Sequence, residues 1–116
     1  MRYMFLVYSK EQGEPDPEAL KKVAEGHRAL MEETSQRGVL RAGEPLEPVS
    51  SATTIRYANG EAMITDGPFA ETKEQLAGYY ILDCKDLDEA LEWARKMPTG
   101  CFGGEGSIEV RPVRRI

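Results

Sequence analysis

Residues 78–98, GYYILDCKDLDEALEWARKMP, fix the architecture of this chain. Gly78 to Cys84 is apolar at nearly every position, which predicts a strand with both faces wanting cover. Asp86 and Glu89 then form a capping-box pattern, so a helix starts there and stops before Pro98. On that helix Leu87, Ala90, Leu91, Ala94 and Met97 share one predicted buried face. A last strand over Ser107 to Val113 completes a β-α-β unit.

The same unit stands at the front of the chain. Tyr3 to Tyr8 is a second strand apolar on both faces. Asp16 is placed to cap a helix and Pro17 suits its first position, where a missing N–H is harmless. The helix is predicted to end near Arg37, with Gly38 past its end. Its inner positions, Leu20, Val23, Ala24, Leu30, Met31 and Thr34, fill an arc of roughly 120°, the width of a core-facing stripe. A short strand follows over Val39 to Ala42, and Gly43-Glu44-Pro45 reads as a turn. Between the two units lies a hairpin, Thr53–Tyr57 and Ala62–Thr65, turned at Asn59-Gly60, where both residues accept positive φ.

The order is therefore β-α-β, hairpin, β-α-β within one domain spanning residues 1–116. It predicts an α+β, ferredoxin-like sandwich: an antiparallel sheet with both helices on one face. The two-sided apolar strands leave the other face wanting a partner, and a second copy of the chain is the expected one.

Composition narrows the function. The 116 residues are 41% hydrophobic and 30% charged, with a net charge of -5. That balance opposes a nucleic-acid or anionic-membrane surface, and Arg111, Arg114 and Arg115 read as a solvated end. The apolar start is too short for a signal-peptide core and no stretch approaches a membrane span, so a cytoplasmic location is expected. Cys84 reads as a small buried hydrophobe and Cys101 as a thiol among glycines, neither with a metal or redox spacing. A single histidine makes a protein-only zinc site improbable, and no cofactor fingerprint is present.

Chemistry concentrates on few residues. His27, the sole histidine, lies near the middle of the first helix's apolar stripe, where a core histidine is the common outcome. The functional reading pairs it with Asp66, whose carboxylate would orient the imidazole as a general base. Gly67 and Pro68 carry the turn after Asp66 and count, with Phe69, Lys73 and Tyr79, as ligand-binding candidates. Phe69 then reads either as a side chain folded back on the core or as an aromatic wall for a small organic ligand. Lys73 would meet an anionic group on that ligand. Tyr79 and Tyr80 point to opposite strand faces, one to the core and the other to a pocket or dimer interface.

The strings DGPFAETKEQLAGYYILD (66–83), DLDEALEWARKMP (86–98) and GSIEVRPV (106–113) resemble the YCII-related family, in particular its DGPF-motif branch. MRYMFLVY, the helix carrying His27, and RAGEPLEP extend the likeness over the whole chain. The Cys101-Phe102 stretch departs from it. The resemblance implies a homodimer of the dimeric α+β barrel type and an active site on a histidine and an aspartate, here His27 and Asp66. It also implies two kinds of activity. One is cofactor-free lyase or isomerase proton transfer on a small organic substrate, as in a relative that dehydrochlorinates a substituted hydroquinone. The other is non-catalytic ligand binding or regulation beside an extracytoplasmic-function sigma factor.

Overall fold

The computed structural model describes residues 1–11, 13–100 and 105–116; the expectation for Cys101 lies outside them. Strand β1 (Arg2–Ser9) is the axis of the molecule. Its side chains alternate: Tyr3, Phe5, Val7 and Ser9 are buried, while Met4, Leu6 and Tyr8 on the opposite face are half-buried. Helix α1 (Pro17–Gln36) follows. Asp16 Oδ1 accepts the Glu18 amide at 3.1 Å, and Gly38 at φ 72° ends the helix in the left-handed region. Val23, Leu30 and Thr34 are buried along its inner stripe. The buried Thr34 hydroxyl donates to the Leu30 carbonyl at 2.8 Å, so its burial leaves no orphaned donor.

Strand β2 runs Leu40–Pro45, which corrects the turn expected at Gly43-Glu44-Pro45. These residues pair with β5 (Gln75–Asp83), Gly43 opposite Tyr80 and Pro45 opposite Gly78. Local turn preference gives way because the ladder with β5 satisfies their backbone groups. β3 (Thr53–Ala58) and β4 (Glu61–Asp66) form the expected hairpin. Asn59 and Gly60 both have positive φ, 53° and 78°, as a two-residue turn of this hand requires. The hairpin is a separate two-stranded sheet, not an extension of the main one.

Helix α2 (Leu87–Ala94) is capped by Asp86, whose carboxylate accepts the Glu89 amide at 2.9 Å. The Glu89 carboxylate reaches the Lys85 amide at 3.3 Å, so the return bond of the capping box falls one residue early. The inner face also differs from the expected one. Ala90 and Trp93 are buried, whereas Leu87 and Leu91 are 50% and 37% exposed. At 100° per residue Trp93 and Ala94 flank Ala90, leaving the two leucines on the rim of the arc. Strand β6 (Gly106–Pro112) then pairs with β1.

The main sheet has the order β2-β5-β1-β6, with every neighbouring pair antiparallel. One core cluster joins Tyr3, Phe5 and Val7 of β1 and Tyr80 and Leu82 of β5 to Leu30 of α1 and to Ala90 and Trp93 of α2. Both helices thus cover the same sheet face, and the α+β ferredoxin-like sandwich is what the chain folds into. No helix among the described residues is long and apolar enough to cross a membrane.

Candidate functional site

A cavity of about 310 Å³ opens between α1, the end of β2, the start of β5 and residues 98–99. Its volume lies at the small end of ligand pockets, room for about ten waters. Val7, Val23, Met31 and Pro98 make it largely apolar, and His27, Tyr79 and Tyr80 are its aromatic rings. Two glycines make the arrangement possible. A Cβ on Gly26 would stand 2.9 Å from Pro98 Cγ, and one on Gly43 would stand 2.9 Å from Tyr80 Cδ1. Only a bare α-carbon lets Pro98 approach α1, and only a bare α-carbon lets the Tyr80 ring lie over β2.

His27 Nδ1 and the Tyr80 hydroxyl are 2.5 Å apart. The rings are stacked with centroids 5.6 Å apart and planes 29° from parallel. Burial holds the His27 pKa below its ordinary value, opposed by the Pro98 backbone carbonyl that accepts from the ring. Burial also pushes the Tyr80 phenol up to about 12. Both groups are therefore neutral near pH 7. The Pro98 carbonyl can only accept, so it favours the tautomer in which the imidazole proton sits on Nε2 and Nδ1 accepts from Tyr80.

Ser9, 1% exposed, gives the cavity a polar corner. Its Oγ lies 3.0 Å from Thr99 Oγ1, which itself donates to the Tyr8 carbonyl at 2.5 Å. Ser9 Oγ accepts the Gly100 amide at 3.0 Å, so the corner is internally satisfied. It ties residues 98–100 to β1 and thereby holds Pro98 at the ring.

The structure separates several residues that the sequence reading joined. Asp66 stands exposed at the end of β4, paired with Thr53, and does not line the cavity. Tyr80, not Asp66, bonds Nδ1 within the chain. Gly67 is held at φ 99° by its own amide to the Ala52 carbonyl and by its carbonyl, which accepts from Thr54 Oγ1. Pro68 is exposed, and Phe69 is 68% exposed with its carbonyl accepting from Arg56 Nη2. Phe69 is neither folded on the core nor a wall of this cavity. The β3–β4 ladder and these three bonds carry the Asp66–Phe69 turn with the hairpin, so adjacency to β5 in sequence does not bring it to α1. Lys73 lies 3.6 Å from the Glu105 carboxylate, both side chains well exposed, and also stands apart.

Tyr79 does line the cavity, with its hydroxyl donating to Glu44 Oε2 at 3.1 Å. That carboxylate raises the Tyr79 phenol pKa. Glu44 is at the cavity too, as a strand residue and not as a turn. Sequence reasoning missed Gly43, Pro98 and the role of Tyr80. A glycine at 43 beside the strand-like LRA was the available signal, because glycine inside a strand marks a close approach.

A sequence model of the YCII-related domain family matches residues 1–116. An uncharacterised protein of Rhizobium meliloti (strain 1021) is 41% identical over 106 residues, 91% of this chain and 79% of that protein.

Proposed function

The chain belongs to the YCII-related family, and from that premise we propose that it binds a small, largely apolar organic molecule and moves a proton on it, as a lyase or isomerase does. The observation that carries this reading is the neutral His27–Tyr80 pair, 2.5 Å apart, set in an apolar cavity. A neutral imidazole with a pKa below its free value is a ready proton acceptor near pH 7, and an apolar site keeps water from competing.

Screening small apolar acids and carbonyl compounds for thermal stabilisation finds the ligand. Saturation at a hundred times Kd adds about 2.7 kcal/mol. Turnover of the ligands found is expected to fall by about 10² to 10⁴ in His27→Ala, while stabilisation by the ligand persists. Turnover unchanged by the substitution rejects the assignment. Binding without turnover in the wild type leaves a ligand-binding module, the second reading, which the mostly apolar lining and the satisfied Ser9–Thr99 corner favour.

The proposal includes a homodimer. Met4, Leu6 and Ile81 lie on the sheet face away from the helices, half-buried. The hairpin and the turn after it expose Tyr57 (79%), Ile64 (70%) and Phe69 (68%). Such apolar area is a docking surface more often than a plain exterior. Sedimentation at micromolar concentration is expected to give twice the chain mass of 13.0 kDa; a monomer there removes the dimer from the proposal.

A further inference from the structure

We infer that Tyr80 is the residue that meets the ligand's proton, with His27 acting through it as the proton store. This rests on the proton-transfer reading above. It follows from the valence of the two groups. Nδ1 of His27 stands 2.5 Å from the Tyr80 hydroxyl, and in the tautomer that the acceptor carbonyl of Pro98 favours, with the proton on Nε2, the neutral imidazole has no free lone pair for a ligand. The phenol oxygen has one proton and two lone pairs. Its proton is committed to Nδ1, which leaves a lone pair, and the Tyr80 ring lines the cavity.

The step balances as follows. Tyr80 Oη accepts a proton from a C–H or O–H of the ligand as its own proton crosses 2.5 Å to Nδ1. The ligand keeps the electron pair, the phenol is regenerated and His27 becomes an imidazolium, steadied by the Pro98 carbonyl. Tyr80 never carries a full negative charge, which suits a phenol whose ionisation burial opposes. Return of the proton by the reverse path completes an isomerisation; loss of a leaving group from the anion completes an elimination. Gly43 is the enabling position, since a side chain there would meet the Tyr80 ring.

The probe 5-nitrobenzisoxazole tests this without a known substrate. A base removes its C3 proton, the C–H pair forms the nitrile, and the N–O bond breaks to a coloured phenolate. Tyr80→Phe keeps the ring and removes only the hydroxyl. It is expected to slow the elimination on the order of a hundredfold, as much as His27→Ala. A wild-type rate no higher than that of His27→Ala overturns the proton-transfer reading and this inference with it. A wild-type rate above His27→Ala that Tyr80→Phe leaves intact or raises overturns this inference alone, because Nδ1 then works directly.

Imidazole ¹⁵N shifts give a check that needs no turnover and, in the wild type, no variant. Nδ1 is expected to be the unprotonated acceptor at pH 8, and Tyr80→Phe, by removing a donor to the neutral ring, is expected to raise the His27 pKa. A proton found on Nδ1, or a pKa that falls on substitution, overturns the relay.

Discussion

Gly43→Val is expected to lower the melting temperature by up to about 12 °C and to part His27 from Tyr80. The new Cβ would begin 2.9 Å from Tyr80 Cδ1 and 3.1 Å from Met31 Sδ. Valine is a better strand residue than glycine by up to about 1 kcal/mol, which works in the opposite direction. Overpacking costs about 1 to 3 kcal/mol and wins here because the neighbours have little room to yield. Tyr80 is only 4% exposed and held at its hydroxyl by His27, while Met31 packs from α1. Gly43→Ala meets the same contacts without the γ-methyls and is expected to do less. Thermal melts with imidazole ¹⁵N spectra check both parts; a Val variant that melts with the wild type and keeps the bond overturns the role given to this glycine.

Phe5→Ala should be the most damaging single change, about 3 to 5 kcal/mol, or about 12 to 20 °C in melting temperature. Phe5 is 0% exposed in the middle of the central strand, paired with Tyr80 on one side and Val110 on the other. Its removal leaves a void that neither fixed neighbour can close. Leu6→Ala, one residue on, points to the other face and leaves the helix-side core whole. Chemical unfolding of the two variants separates the faces of β1. Equal losses would contradict the alternation, unless they arise only above the concentration at which copies associate.

The elements were readable because their signals are local. Asp16-Pro17, Gly38, Asn59-Gly60 and Asp86 each act within a turn or two of their own position, and all four ended or began an element as expected. Tertiary pairing decided the rest. The Gly-Glu-Pro at 43–45 has turn chemistry, yet β5 supplies partners that make it a strand. Which of Tyr79 and Tyr80 faces α1 is set by the pairing with β1, Tyr80 opposite Phe5 and Tyr79 opposite Leu6, which no sequence pattern announces. His27 was legible as an odd polar member of an apolar stripe. Its partner was not, because the aspartate that suits it chemically is carried away on the hairpin. Trp93 lies outside the face predicted for α2 because five other apolar side chains already filled that arc.

The hairpin departs after Pro45 and the chain rejoins the sheet at β5, and those two places touch: Pro45 pairs with Gly78, and the Leu46 amide reaches the Ala77 carbonyl at 2.8 Å. Everything between begins and ends at one spot on an already closed ladder, as an insertion does. Such a segment can lengthen, shorten or change its surface without moving any register in the main sheet. The fold thereby separates two jobs, holding the cavity to the geometry of the core while the hairpin presents its apolar side chains from outside the main ladder.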